Sequence, residues 1–183
     1  LRDGDAVLRV RDLVVEFPLG RHAVVSAVAG VSFDVLPGET LGIVGESGCG
    51  KSTTGRAIMQ IETPTSGEVE FEGTNLIDLS FDQLREARTK IQMIFQDPIS
   101  SLNPRRRVRE SVKDPLDIWN RGSEAERHEL VDQMLEQVGI DPERAAESRP
   151  HQFSGGQCQR ISIARALVLD PTLIICDEPV SAL

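Results

Sequence analysis

The chain has 183 residues, 39% hydrophobic and 27% charged, a balance that supports one domain with a substantial buried core and excludes a disordered chain. A formal net charge of -9 excludes a protein that grips nucleic acid or an anionic membrane through bulk positive charge. The three isolated cysteines, Cys49, Cys158 and Cys176, lack zinc-site or disulfide spacing and fit the cytoplasm, and no apolar run approaches the roughly 20 residues that span a bilayer.

In chain order, 6–17 and 23–35 are Val-rich with period-two features, and Pro18 with Gly20 and Pro37 with Gly38 close them, so they read as strands of an antiparallel layer. Residues 40–44 form a short apolar strand running into Gly45, and 51–61 a helix ending before Pro64. A strand follows at 67–71, a polar helix at 81–89 and a buried-type strand at 91–95. The pattern from 108 to 148 is helical. There Ser123 and Glu126 form a capping box, and Leu130, Val131, Met134, Leu135 and Val138 supply an apolar face before Gly139. Residues 155–169 read as a helix, and 173–176 as an apolar strand buried on both faces of a parallel sheet. The sum is an α/β core with an inserted helical subdomain.

Gly45-Glu46-Ser47-Gly48-Cys49-Gly50-Lys51-Ser52 matches a phosphate-binding loop between strand and helix. Its glycines free backbone amides to wrap a β-phosphate, and the helix N-terminus adds its positive end. Lys51 is expected to reach the β- and γ-phosphates, Ser52 to ligate magnesium, and Thr53 to join the nucleotide contacts. At the end of the 173–176 strand stand Asp177, expected to hold magnesium, and Glu178, positioned to polarise water for attack on a γ-phosphate. Ser154-Gly155-Gly156-Gln157 predicts a capped helix whose glycines bare their amides, a second anion site.

Taken in order, the phosphate loop, Gln96 within Phe95-Gln96-Asp97-Pro98, Ser154 to Gln157, and Asp177-Glu178 resemble ATP-binding-cassette ATPases over nearly the whole chain. The resemblance implies a P-loop NTPase (RecA-like) core with an N-terminal antiparallel layer. Within it, 1–96 hold that layer and the first part of the core, 97–153 the glutamine loop and helical subdomain, and 154–183 the signature helix and second acidic strand. It further implies that Ser154, Gly155, Gly156 and Gln157 close on the ATP held by the opposite subunit of a head-to-tail dimer. Gln96 contacts magnesium and the attacking water, and Phe17 stacks on adenine; a core phenylalanine is the other reading of Phe17.

Gln92 to Arg105, with Gln157 in Ser154-Gly155-Gly156-Gln157-Cys158-Gln159-Arg160 and Pro179-Val180-Ser181-Ala182-Leu183, is similar to the second, F-type ATPase subunit of oligopeptide and dipeptide importers. The partners this implies are an unlike ATPase subunit, transmembrane permease chains and, indirectly, an external solute-binding protein, with the chain peripheral on the cytoplasmic face of the inner membrane. Cys158 departs from the arginine expected at what would be a surface contact. The alternatives are a soluble cassette ATPase of DNA repair or translation, or an inactive nucleotide-binding fragment. The chain reads as truncated, with the family's histidine and post-signature aspartate expected beyond Leu183.

Arg105, Arg106, Arg107 and Arg109 read as a solvated face or as a contact with the membrane subunit. His22, His128 and His151 are scattered, and none is assigned a catalytic role.

Overall fold

A computed structural model describes residues 6–20 and 23–178. The chain divides into two compact units, Leu1–Arg88 and Thr89–Leu183. His22 and 179–183 lie outside the described residues.

The first unit holds a four-stranded antiparallel sheet in the order β2-β1-β3-β4, with β1 at Leu8–Leu19, β2 at Ala23–Val35, β3 at Ser66–Phe71 and β4 at Thr74–Asn75. In β1 the buried residues are Leu8 and Val10, then Leu13 and Val15, so the apolar alternation changes phase in mid-strand. A bulge absorbs the shift: Asp12 takes φ 45° and the register slips on both neighbours. Ser32 Oγ accepts from the Asp12 amide at 2.8 Å and donates to its carboxylate at 3.1 Å, holding the bulge to β2. Gly67 lies against its other side. A Cβ there would stand 2.6 Å from the Asp12 carbonyl oxygen and 2.7 Å from that of Arg11.

Glu72 and Gly73, both at positive φ, turn β3 into β4 as a two-residue primed turn. Arg9 ties the layer together electrostatically, donating to Asp34 on β2 at 3.2 Å and to Glu70 on β3 at 3.5 Å.

Three sequence expectations are corrected in this unit. β1 does not stop before Pro18 but continues to Leu19, because there it pairs with β2 alone and the missing proline N–H faces no second neighbour. Residues 40–44 form no strand. They find no ladder partner among the described residues, and Leu41, Ile43 and Val44 are exposed. The helix after the loop, α1 at Lys51–Ile58, ends short of residue 61. Gln60 turns left-handed, and the Arg88 guanidinium, at the end of the unit, donates to the Met59 and Gln60 carbonyls at 2.9 and 2.7 Å.

After the short 3₁₀ turn Leu76–Asp78, α2 spans Phe81–Lys90. In the second unit β5 at Ile91–Ile94 pairs in parallel with β6 at Leu173–Cys176, Ile91 facing Leu173 and Ile94 facing Cys176. β5 is mostly buried, whereas β6 is half-exposed, contrary to the expectation of a strand buried on both faces. Among the described residues it has a neighbour on one side only.

The helices are α3 at Pro98–Ser101, α4 at Val108–Ile118, α5 at Glu124–Gln137, α6 at Pro142–Glu147 and α7 at Gly155–Leu167. The 108–148 pattern is thus three helices. Gly122 and Gly139, both at positive φ, mark the breaks, and Asp141 with Pro142 starts the last. The Ser123–Glu126 box is present as expected. Their core is built from Leu102, Val108, Val112, Leu116, Val131, Leu135, Ile161 and Ala164, among others. Leu130 is exposed, because the buried stripe of α5 runs through Val131 and Leu135.

Lys113 is buried between α4 and α5, 2.5 Å from Glu124, 3.6 Å from Asp117 and 3.8 Å from Glu110. The hydrogen bond to Glu124 raises its pKa above the ordinary 10.5, and the same bond lowers that of Glu124 below 4.5.

Two stability predictions follow from this packing. Gly67→Ala is expected to cost on the order of 2–4 kcal/mol in denaturant unfolding, since backbone must move, whereas Gly73→Ala, whose Cβ meets nothing within 4 Å, costs about 1 kcal/mol of left-handed strain. Lys113→Met is expected to lower Tm by several degrees near neutral pH. Glu124, with its folded pKa depressed, contributes above pH 4.5 and loses the contribution as pH falls through its folded value. Lys113, with its folded pKa raised, contributes below pH 10.5 and loses it on further rise. The Tm gap between the two proteins should therefore narrow below pH 4.5 and above pH 10.5, as thermal melts across pH would record.

Candidate functional site

The candidate site residues divide between the units: Phe17 and the loop from Gly45 to Thr53 in the first, and Gln96, Ser154 to Gln157, Asp177 and Glu178 in the second.

The loop is exposed from Gly45 to Cys49, and Gly48 and Gly50 hold φ of 82° and 92°. Gly50 is the N-cap of α1, left-handed and without a side-chain cap. A helix so begun presents its first amides and the positive end of its dipole to whatever sits above it. The Lys51 ammonium bends back over the loop, donating to the Gly45 and Glu46 carbonyls at 2.9 and 2.8 Å, with Cys49 Sγ at 3.9 Å. Gly50 admits no side chain for a second reason: its Cβ would lie 2.0 Å from the Ala27 carbonyl oxygen of β2. The β layer thus touches the loop directly. Phe17 pairs with Val25, two positions before Ala27, and is 39% exposed, so it stands on the surface of that layer and is not a core residue.

In the second unit, the parallel register of β5 and β6 brings together two residues widely separated in sequence. The Asp177 amide donates to the Ile94 carbonyl at 2.9 Å, extending the ladder one step past β6, and Asp177 is buried. Glu178 turns left-handed at φ 46° and is exposed, and its Oε2 accepts from Gln96 Nε2 at 2.8 Å. Asp97 fixes the segment after Gln96. Its carboxylate caps α3, accepting from the Ile99 and Ser100 amides at 3.0 and 3.3 Å, bonds that hold its pKa below the ordinary range. Sequence reasoning gave Asp97 no role, although Asp followed by Pro is a legible helix start.

Ser154 caps α7 in the expected box: the Gln157 amide donates to Ser154 Oγ at 3.2 Å, and Gln157 Oε1 accepts from the Ser154 amide at 2.9 Å. The box covers those two amides and not the amides of Gly155 and Gly156, and a Cβ on Gly155 would meet open space. The approach is held by Arg144, which stacks 4.4 Å from the Phe153 ring centroid and donates to the Gln152 carbonyl at 2.8 Å. Cys158 is buried, donating to the Pro150 carbonyl at 3.4 Å, so it marks no surface contact. Burial pushes its thiol pKa up. Of the arginine run, Arg106 pairs with Glu110 and Asp114, and Arg109 with Asp132, while Arg105 and Arg107 are exposed.

Two kinds of chemistry are on offer. The loop, with its uncapped helix start and Lys51, is an anion site. Gln96 and Glu178 pair an amide with a carboxylate that can serve as a base, next in the chain to the buried Asp177. Among the described residues no group of three or more His, Cys, Asp or Glu could hold a metal.

The family model described as ABC transporter matches residues 28–181. The chain is 50% identical over 186 residues to the oligopeptide transport ATP-binding protein AppF of Bacillus subtilis, covering 98% of this chain and 56% of that protein. It is 47% identical over 184 residues to the di/tripeptide transport ATP-binding protein DppF of Pseudomonas aeruginosa, covering 98% and 57%. The chain therefore spans little more than half the length of these relatives. Among solved structures, the dimeric ATP-binding cassette MJ0796 bound to ADP and Pi superposes with a TM-score of 0.87 at 35% identity, over 96% of this chain and 75% of that one. The cbiO1 protein of Clostridium perfringens, part of the cbiONQ transporter complex, gives 0.80 at 30% identity, over 98% and 68%. These likenesses bear out the α/β cassette fold.

Because Gly50 touches β2 backbone, Gly50→Ala is expected to weaken nucleotide binding by about tenfold or more, read by titration with a fluorescent ATP analogue. Gly20→Ala, at a similar φ but in open space, should leave the affinity unchanged.

Proposed function

The chain belongs to the ABC transporter family, and from that footing we propose that it is the ATP-binding and ATP-hydrolysing part of an importer motor subunit that serves oligopeptides or dipeptides. The observation that carries this reading is the Gln96–Glu178 hydrogen bond of 2.8 Å, which joins an amide and a carboxylate at the mouth of a parallel strand pair. The peptide class is supported by the names of AppF and DppF.

In this reading the amides from Gly45 to Thr53 wrap the phosphates of ATP, Lys51 leaves the loop carbonyls to reach the β- and γ-phosphates, and Phe17 stacks on the base. Ser52, Gln96 and Asp177 are the residues that would hold magnesium, which would supply positive charge against the phosphate oxygens. Glu178 takes a proton from a water as the oxygen of that water attacks the γ-phosphorus, the bond from the γ-phosphorus to the ADP oxygen breaks, and ADP and phosphate leave. Gln96 orients that water. Its existing bond to Glu178 holds the two side chains on one reaction centre.

The amides of Gly155 and Gly156 serve the ATP of a second ATPase subunit, probed across a head-to-tail dimer, and Ser154 and Gln157 present them through the capping box. The partners are that second, unlike cassette subunit, permease chains in the membrane, and through them a solute-binding protein. Among the described residues no helix is long and apolar enough to cross a membrane. A peripheral place on the cytoplasmic face is supported by the transport names of AppF and DppF.

The test uses the full-length subunit with its partner ATPase. Glu178→Gln should reduce turnover by roughly 10²–10⁴-fold while ATP binding and ATP-driven association persist. Lys51→Ala should lose both. Hydrolysis by Glu178→Gln near the wild-type rate would sink the assignment, and undiminished di- or tripeptide uptake in cells carrying Lys51→Ala would sink the peptide-import role.

A further inference from the structure

Gln96 and Ser154 stand at opposite ends of a continuous physical connection inside the second unit. Gln96 is followed at once by α3, a single turn capped by Asp97. α3 is bonded to α7 in three places: Ser101 Oγ meets Ser162 Oγ at 3.1 Å, Ser162 Oγ reaches the Pro98 carbonyl at 3.5 Å, and Arg165 Nη1 donates to the Ser101 carbonyl at 2.5 Å. Ser162 is buried. Ser154 begins the same α7, about 12 Å from Ser162 at 1.5 Å per residue.

Apolar packing alone would let one helix slide over a one-turn neighbour, because dispersion has no direction. Hydrogen bonds from both ends of α3 to one face of α7 fix its position. Arg165 gives up hydration for this: burial lowers its pKa, and Asp114, the carboxylate whose charge opposes that shift, also pairs with Arg106. A desolvated arginine that donates to a carbonyl is weakly justified by stability alone, since an apolar side chain of similar length is often as stable.

We propose that Ser162 and Arg165 are positioning residues that set the place of the Gln96 amide against Glu178 by holding α3 to the signature helix α7. Contact at the Ser154 end is thereby passed, through a rigid helix, to the reaction centre of the same subunit. The inference rests on the catalytic reading of Gln96 and Glu178, and the test separates the two.

In the full-length subunit assembled with its partner ATPase, turnover and KM for ATP are measured for Arg165→Met, Gln96→Ala and the double variant. Arg165→Met is expected to lower kcat about tenfold with KM for ATP within about twofold, because the phosphate loop is untouched. If Arg165 acts through Gln96, the double variant is no slower than Gln96→Ala alone. Multiplying losses in the double variant, or an unchanged kcat in Arg165→Met, overturns the proposal. Should Arg165→Met fail to fold, Ser162→Ala, which removes one hydroxyl, runs the same cycle with the same two outcomes. A wild type or a Gln96→Ala variant that contradicts the catalytic reading does so in the reference arms, before Arg165 is considered.

Discussion

The candidate centre of the second unit, where Gln96 meets Glu178, depends on the parallel register between β5 and β6. Ile94 faces Cys176, so the chains leave the sheet side by side, and the next backbone bond, Asp177 to Ile94, carries the pairing one residue further. Only then do Gln96 and Glu178 come within hydrogen-bonding reach. A slip of one residue would turn Asp177 outward and Glu178 toward the strand, exchanging a buried carboxylate for an exposed one. The left-handed turn at Glu178 adds to this constraint, since a non-glycine residue holds that conformation only where its surroundings over-determine it.

The helical part of the unit serves the same centre by different means. Its core is apolar, but the places where helices begin are polar: Asp97 at α3, Ser123 at α5, Asp141 at α6 and Ser154 at α7 each cap their helix with a side chain. Burial supplies cohesion, and the caps supply the directions in which the chain enters each helix. At Ser154 the box takes the amides of Ser154 and Gln157 and leaves those of Gly155 and Gly156 outside it.

Much of this was legible in the sequence where the chemistry is local. Capping boxes act over three residues, and both Ser123–Glu126 and Ser154–Gln157 form as their spacing predicts. Gly48 and Gly50 of the loop take a positive φ that glycine permits. What sequence misses is whatever depends on a distant partner. Residues 40–44 have the composition of a strand, but a strand is a pairing, and composition names no partner. Just past the end of α1, Arg88 captures the carbonyls of Met59 and Gln60, a contact invisible from the helix itself. Cys158 looked like a surface departure and is buried, since α7 turns that position onto the Pro150 carbonyl. Arg165 drew no attention because its partner is a backbone carbonyl, to which any sequence contributes equally.

The contact between Gly50 and the Ala27 carbonyl changes what the antiparallel layer is for. A sheet that merely covered a core could vary in curvature without consequence. Here one carbonyl of β2 is the wall against which the loop's left-handed turn is set, so the layer acts as a gauge for the width of the phosphate cradle. A change along β2 that moves the Ala27 carbonyl would reset the turn at Gly50 while leaving every loop residue intact.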